Sequence, residues 1–248
     1  MRPLLAALRF LTILPLPDPG EAALGRSLPG FPLVGLIVGA IAAGLDWLGF
    51  RLGCPGGLMG IVDVAVLAGL TGGLHLDSLA DTADGFLSAK PRERVLEIMR
   101  DSRIGTMGAL ALILVLALKV EGLSGLKGPG RTSALLLAPL AGRCLQVITI
   151  CLLPYARPEG GVAAVFESAK RPIHGIWAAA CLAGASAIPF GLRGLGAAAA
   201  CGAVLILTAR WSKKRIGGYT GDTLGATGEV AETVILVYWS IMLKGGAT

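Results

Sequence analysis

Residues 72–108 read GGLHLDSLADTADGFLSAKPRERVLEIMRDSRIGTMG and separate two strongly apolar segments of the chain. Three carboxylates follow one another closely, at Asp77, Asp81 and Asp84, and a fourth lies at Asp101. The same stretch carries five cations, at Lys90, Arg92, Arg94, Arg100 and Arg103. The whole 248-residue chain has only 16 acidic residues, so this concentration of charge indicates a functional region.

The first three aspartates have a helical spacing. Asp77 to Asp81 is i,i+4 and Asp81 to Asp84 is i,i+3, so a helix over residues 74–87 puts all three carboxylates on one face. Such a face repels itself unless a cation lies among the carboxylates, and oxygen ligands suit a hard divalent ion such as Mg²⁺. We predict a magnesium site at these three residues, with Asp101 as a further ligand. The alternative is a solvated polar face just outside a membrane.

The composition is that of a membrane protein. Hydrophobic residues make up 54% of the chain, charged residues only 15%, and there are 37 glycines. A soluble domain averages about 25% charged residues. We predict an all-α, polytopic integral membrane helix bundle, one membrane-embedded domain over residues 1–248, whose helices approach closely through small residues. No nucleic-acid-binding pattern occurs, and the five cysteines, which form no CxxC pair, are expected to be apolar fillers.

Seven segments are apolar and long enough to cross about 30 Å of hydrocarbon. Their predicted limits are Phe31–Phe50, Gly57–Leu76, Thr106–Leu123, Ser133–Leu153, Ile173–Phe190, Gly194–Ala209 and Glu229–Leu243. A short helix within residues 1–16 precedes them and is expected to lie at the membrane interface or to be half-inserted, because the prolines of LPLPDPG end it. Only residues 191–193 separate the fifth and sixth segments, which predicts a tight helical hairpin.

The distribution of cations sets the expected orientation. With the N-terminus in the cytoplasm, most Lys and Arg residues fall in cytoplasmic segments, as the positive-inside rule requires. Lys119 and Arg131 then belong to outer segments, and Arg143 is the one cation inside a span. This layout puts residues 72–108 and the loop before the last span on the same cytoplasmic side.

Four further residues could bind substrate near these carboxylates or within the bundle. Arg100 and Arg103 suit phosphate oxygens, because a guanidinium group offers two donors at once; the alternative is a surface helix with snorkelling arginines. His75 could bind metal, move a proton or donate to phosphate, or be only a hydrogen-bonded structural residue. Arg143 is expected to face the bundle interior and pair with a carboxylate or an anionic ligand, unless it snorkels.

A second polar cluster, GGYTGDTLGATGEVAE, covers residues 217–232. Its glycines predict a close-packing edge. Thr220 and Asp222 lie where a helix could begin, and we expect both in the active site. Glu229 and Glu232 are expected at the mouth of the last span, where ionisable groups usually have a function. The alternative is that they interact only with the helix dipole.

These motifs resemble the cobalamin 5′-phosphate synthase (adenosylcobinamide-GDP ribazoletransferase) family over nearly the whole chain. The resemblance rests on GFPLVGLIVGA at 30–40, TGGLHLDSLADTADGF at 71–86, RERVLEIMRDSRIGTMG at 92–108, AGR at 141–143 and YTGDTLGATGE at 219–229. Ser78 departs from the pattern, since the family usually has Gly there. Ser is small, so it is expected to tighten the local backbone without removing a ligand.

The resemblance implies a Mg²⁺-dependent enzyme of the prokaryotic inner membrane. It would join adenosylcobinamide-GDP to α-ribazole or its 5′-phosphate and release adenosylcobalamin or its 5′-phosphate with GMP. Such a transfer depends on alignment and charge neutralisation. Either Asp101 or Asp222 could then accept the hydroxyl proton. A homo-oligomer and contacts with other cobalamin-pathway enzymes stay open.

Two alternatives stand beside this reading. Asp81-Thr-Ala-Asp84-Gly85 resembles, more faintly, the DxxDG opening of the CDP-alcohol phosphotransferases, although Gly105 stands where their next aspartate is expected. Such an enzyme would attach another alcohol to a nucleotide-activated phosphate. A cation transporter is the second alternative, but transport expects carboxylates near the bilayer midplane, not at its edge beside arginines.

Overall fold

The structure is a computed structural model that describes residues 2–244, with backbone only for Glu21 and Lys244. The regular elements of this range are all helical, which confirms the predicted all-α class. The helices are α1 (Arg2–Leu11), α2 (Glu21–Gly25), α3 (Phe31–Arg51), α4 (Gly56–Leu70), α5 (Leu74–Leu87), α6 (Arg92–Ile98), α7 (Thr106–Ser124), α8 (Gly128–Leu152), α9 (Val165–Ala169), α10 (Pro172–Ile216) and α11 (Gly221–Lys244).

The multi-pass membrane architecture is confirmed, but the count of seven spans is not. Five helices in the described range, α3, α7, α8, α10 and α11, are long and apolar enough to cross a membrane. A sixth span results if α4 and α5 count as one, although an angle of 89° separates them. The predicted second span ran through this break. The chain turns there because Gly72 and Gly73 both have positive φ, at 61° and 72°.

The predicted helical hairpin is present within α10. Gly191 has non-helical backbone angles, with φ 55° and ψ −129°. Beyond it the chain reverses and brings Gly194 so close to Ser186 that a Cβ on Gly194 would collide with the Ser186 carbonyl oxygen. In a continuous helix these two residues would be about 12 Å apart. The reversal returns the end of α10 to the end of the bundle where it began.

Helix α8 is the centre of the bundle, and glycine brings α3 against it. A Cβ on Gly39 would lie 2.5 Å from the carbonyl oxygen of Leu135 and 2.8 Å from Cα of Leu136. Gly35, one turn away, meets the Pro139 backbone in the same manner. These contacts confirm the close approach through small residues that the composition predicts.

Arg131 lies inside the bundle and not in an outer segment as predicted. Its side chain is 1% exposed, and it donates to Asp46 Oδ1 at 2.7 Å and to Asp63 Oδ2 at 2.5 Å. It also donates to the carbonyl oxygen of Leu123. A buried guanidinium group needs such partners because the low dielectric makes an unpaired charge very unfavourable. Asp46 and Asp63 therefore connect α3, α4 and α8 at this end of the bundle.

We expect Gly39→Ala to destabilise the protein. The new Cβ would force α3 away from α8, and overpacking of this kind costs about 1–3 kcal/mol. Gly44→Ala is the matched control, since it lies on the same helix with no atom within 4 Å of the added Cβ. Thermal unfolding in detergent should show a lower Tm for Gly39→Ala and an unchanged or higher Tm for Gly44→Ala. Equal Tm values would contradict the packing argument.

Candidate active site

Helix α5 carries three acidic side chains at one end of the bundle. Its apolar residues Leu79, Ala80, Ala83 and Phe86 are buried. Asp77 is exposed, whereas Asp81 and Asp84 are half-buried. The negative charges of Asp77 and Asp84 both act on the Asp81 carboxylate, so the three carboxylates are electrostatic neighbours. The predicted helix and its acidic face are therefore present.

Asp222 joins this group from α11. Its charge also acts unfavourably on Asp81, and that of Asp77 acts on Asp222 in turn. Arg157, in the loop after α8, holds the Asp222 carboxylate with an Nη2–Oδ2 distance of 2.7 Å. The α5 aspartates of residues 72–108 and Asp222 of residues 217–232 thus meet at one end of the bundle, as the predicted orientation requires.

Glycine contacts make this meeting of α5 and α11 possible. A Cβ on Gly225 would collide with the Ser78 side chain. A Cβ on Gly218, just before α11, would collide with the Pro154 carbonyl oxygen. The Ser78 hydroxyl donates to the Leu74 carbonyl oxygen at 2.7 Å, within α5. This bond links Ser78 to the preceding turn of the same helix. The predicted close-packing edge is confirmed for Gly218, Gly225 and Gly228, whereas a Cβ on Gly221 would make only an ordinary contact.

Asp84 has a structural contact that the sequence did not reveal. It accepts the backbone N–H of Gly105 at 2.7 Å and that of Gly108 at 2.8 Å. These amides belong to the start of α7, where the first N–H groups have no partner within the helix. A side chain at either glycine would collide with Asp84. Asp84 therefore caps α7, and the glycines admit this carboxylate.

Asp101, Arg103 and Arg100, which were predicted to belong to the site, lie in ion pairs. Asp101 accepts from Arg103, with Nε–Oδ1 at 2.9 Å and Nη2–Oδ2 at 2.6 Å, and this pairing lowers the pKa of Asp101 to about 2. Arg100 pairs with Glu159. A cleft of about 200 Å³ has Asp84, Asp101 and Arg103 in its wall. Asp101 is thus near the α5 acids but already paired.

Deeper in the bundle, two predicted substrate-binding residues take part in a buried ion network. Lys119 of α7 donates to Glu229 at 2.5 Å and to Glu232 at 2.7 Å. Arg143 of α8 donates to Glu232 at 3.1 Å, which confirms that it faces a carboxylate in the interior. All four side chains are at most 6% exposed.

This network corrects two predictions. Glu229 and Glu232 are not at the mouth of a span, because α11 begins at Gly221 and places them two to three turns inside. Lys119 is not in an outer segment, since it neutralises these carboxylates within the bundle. The low dielectric inside the bundle makes an unpaired charge very unfavourable, so buried carboxylates lie beside cations.

Thr220 is the N-cap of α11. Its Oγ1 accepts the N–H of Thr223 at 3.3 Å, and the Thr223 hydroxyl oxygen accepts the N–H of Thr220 at 2.9 Å. This reciprocal pair satisfies two amides at the helix start. The predicted helix start at Thr220 and Asp222 is therefore correct. The cap places Asp222 in the first turn, directed towards Arg157.

A cavity of about 270 Å³ opens beside these groups. The polar part of its lining comprises Asp222, Arg157, Tyr155, His75, Ser78 and Gln146. The remaining lining is largely apolar and includes Phe10 and Leu11 of α1, Phe31 of α3 and Phe166 of α9. The cavity thus joins the predicted His75 to the acidic end of the bundle.

Comparison with known sequences identifies the family. A sequence model described as cobalamin-5-phosphate synthase matches residues 3–240. The chain belongs to the cobalamin-5-phosphate synthase family. It is therefore an enzyme, a transferase of cobalamin biosynthesis, and the resemblance found in the motifs is confirmed.

Individual relatives agree with this assignment. The adenosylcobinamide-GDP ribazoletransferase of Roseiflexus sp. (strain RS-1) is 45% identical over 237 residues, covering 94% of this chain and 87% of the relative. Proteins of the same name from Desulforamulus reducens and Herpetosiphon aurantiacus are 39% and 41% identical, each covering 93% of this chain and 92% of the relative. No solved structure matches the chain.

The synthase-family site contains residues that sequence reasoning missed. Arg157 follows Pro154 in an ordinary-looking loop, and only folding places it beside Asp222. Lys119 had a usable signal, because a single lysine within an apolar span is expected to have a buried partner. Gln146 is likewise a polar residue within an apolar helix, α8.

The carboxylates fit a divalent ion by chemistry, although they do not form a complete cage. Within residues 2–244, no three side chains of the His, Cys, Asp or Glu type lie close enough to hold a metal ion. Mg²⁺ usually takes only one or two protein carboxylates and completes its shell with water and substrate phosphates. The repulsion among Asp77, Asp81 and Asp222 is of the kind that a bound cation relieves.

We expect Asp84→Ala to lower stability even without substrate or metal. Loss of a capping acceptor costs about 0.5–2 kcal/mol, and two N–H groups lose their partner here. Asp77→Ala is the matched control on the same helix, because Asp77 is exposed and surface substitutions usually change stability by less than about 0.5 kcal/mol. Thermal unfolding in EDTA should separate the two variants. An unchanged Tm for Asp84→Ala would contradict its capping function.

We expect Lys119→Met to destabilise the bundle by about 3–5 kcal/mol, because it leaves two buried carboxylates with one cation. The double variant Lys119→Met/Glu229→Gln should recover part of that loss, since it removes one of the unbalanced charges. Expression yield and Tm in detergent measure both effects. If Lys119→Met were as stable as the wild type, charge balance in this network would not contribute to stability.

Proposed function

We propose that this enzyme transfers the phosphocobinamide group of adenosylcobinamide-GDP to a ribose hydroxyl of α-ribazole or α-ribazole 5′-phosphate. The hydroxyl oxygen forms a new bond to the cobinamide-linked phosphorus, and the bond from that phosphorus to the bridging oxygen breaks. GMP leaves, and adenosylcobalamin or its 5′-phosphate is the product. The family assignment and the names of the relatives support this reaction.

The observation that carries the proposal is the meeting of acids from α5 and α11 with Arg157 beside a cavity. A diphosphate needs positive charge around its oxygens, and a hydroxyl nucleophile needs a proton acceptor. The acidic face can supply the positive charge by binding a cation. The Asp222 carboxylate is the proton acceptor, and Arg157 keeps that carboxylate oriented.

Mg²⁺ is proposed as the cofactor, with Asp77 and Asp81 as its principal ligands. Asp84 could contribute through oxygen lone pairs that the α7 amides leave free. Asp101 could contribute only by giving up part of its pairing with Arg103. The chemistry that Mg²⁺ supplies when bound is neutralisation of charge on the diphosphate and on the departing phosphate.

The arginines of the stretch are proposed to bind phosphate oxygens by exchange of partner. Arg103 is 86% exposed in its pair with Asp101, and Arg100 is 44% exposed in its pair with Glu159. Exposed ion pairs contribute only about 0–1 kcal/mol, so a phosphate can displace the carboxylate at little cost. The site is supported from within the protein by His75, Arg143, Thr220 and Glu229.

We place the active site on the cytoplasmic face of a prokaryotic inner membrane. Lys213, Lys214 and Arg215 end α10 at the same end of the bundle as Asp222. Together with the cations of residues 90–103, they give this end the positive excess that is typical of cytoplasmic segments. Water-soluble nucleotides would reach the site from that side.

The test is GMP release by purified protein in lipid, supplied with adenosylcobinamide-GDP, α-ribazole and a Mg²⁺ series. We expect turnover to require Mg²⁺ and to stop in EDTA. Asp81→Asn should lower kcat at saturating Mg²⁺ by at least about 100-fold. The substitution removes a negatively charged ligand of the ion that neutralises the diphosphate. Asp18→Asn is the matched control, since Asp18 is an exposed surface residue paired with Arg9.

Two outcomes would contradict the proposal. Near-normal turnover of Asp81→Asn would remove that residue from the metal site. Release of CMP from a CDP-alcohol, with no GMP from the cobinamide donor, would assign the chain to the other transferase chemistry.

A further inference from the structure

The cavity beside Asp222 has one apolar part built from three separate elements. Phe10 of α1, Phe31 of α3 and Phe166 of α9 contact one another with ring centroids 5.6–6.2 Å apart. Phe31 and Phe166 are at most 1% exposed. Such a group of aromatic rings suits a flat apolar ring, which it can contact face to edge.

The cavity wall also has two buried polar side chains whose hydrogen bonding is incomplete. His75 of α5 is 3% exposed and Gln146 of α8 is 2% exposed, and both line the cavity. Within residues 2–244, Nδ1 of His75 and Oε1 of Gln146 have no hydrogen-bond partner. Buried polar atoms are nearly always paired, so two unpaired atoms in one cavity wall point to a ligand that pairs with them.

The same cavity also reaches the reacting groups. Arg157, Tyr155 and Asp222 line it, and the charge of Asp77 acts on Asp222. A ligand that filled the cavity would therefore place a flat ring among the phenylalanines and hydroxyl groups near Asp222. A nucleoside has this division, with an aromatic base at one end and a sugar at the other.

We propose that this cavity binds the nucleoside acceptor, with its aromatic base against the phenylalanines, a ring nitrogen accepting from His75 Nδ1–H, and a ribose hydroxyl donating to Gln146 Oε1. The ribose then extends to Asp222, which receives the proton of the attacking hydroxyl. The inference rests on the proposed function and specifies where one of its substrates binds. Guanine of the donor is the competing base, but its several polar edge atoms match two polar side chains poorly.

Binding without turnover provides the first test. Equilibrium dialysis would measure the Kd of α-ribazole and of GMP separately, with no cobinamide donor present. We expect His75→Phe and Gln146→Leu each to weaken α-ribazole binding by about 10-fold, because each removes a buried hydrogen-bonding group. The Kd of GMP should be unchanged.

Thr82→Val is the matched control. Thr82 is also buried on α5, and its Oγ1 has no partner within residues 2–244. It lines a different, apolar cavity of about 290 Å³ between α5, α7, α10 and α11. We expect this variant to bind α-ribazole as the wild type does.

A filling variant keeps the test independent of the polar residues. Ala163→Leu should obstruct the acceptor cavity, which Ala163 lines, whereas Ala111→Leu fills the other cavity. In turnover assays, Ala163→Leu should raise the KM for α-ribazole at least 10-fold and leave the KM for adenosylcobinamide-GDP unchanged. Tm values measured in parallel identify any variant that fails to fold.

The outcomes separate this inference from the proposed function. If wild type releases GMP but the variants weaken GMP or donor binding instead, the cavity holds guanine and the inference is wrong. It is also wrong if neither ligand is affected. If wild type binds α-ribazole through His75 and Gln146 but releases no GMP, only the proposed function fails.

Discussion

The structure depends on the requirement that charge inside the bundle be paired. Lys119 and Arg143 neutralise Glu229 and Glu232 between α7, α8 and α11, and Arg131 neutralises Asp46 and Asp63 between α3, α4 and α8. Removing one partner from such a group leaves an unpaired charge in a low dielectric, which is far less favourable than the loss of a surface pair. Each group therefore fixes the relative positions of three helices, and α8 belongs to both.

The acidic end of the bundle follows the opposite rule. Asp77, Asp81 and Asp222 repel one another where water can reach them, and Arg157 compensates only part of that charge. An arrangement of this kind is not the most stable one that these helices could have. It is suited to binding a cation and phosphate groups, and strained electrostatics of this type are common at functional sites. The paired interior gives these side chains a rigid support.

Much of this site could be predicted from local spacing. The helical positions of the three α5 aspartates, the helix start at Thr220 and the hairpin at Gly191 are all encoded within a few residues. The errors concerned charges whose partners are distant in sequence. Lys119 lies 110 residues from Glu229, and Arg131 lies 68 from Asp63. Asp84 was predicted as a ligand, but its bonds to the amides of α7 came from a packing contact that spacing alone does not specify.

The sequence by itself determined the family, the all-helical membrane class and the identity of the acidic face, because composition, periodicity and motif are properties of contiguous residues. Tertiary structure alone decided which charges became buried supports and which remained at the site. It also formed the cavity, whose walls come from α1, α3, α5, α8, α9 and α11. The physical reason is that burial and pairing are properties of several helices at once, and they appear only when glycine contacts such as those of Gly39 and Gly225 bring those helices together.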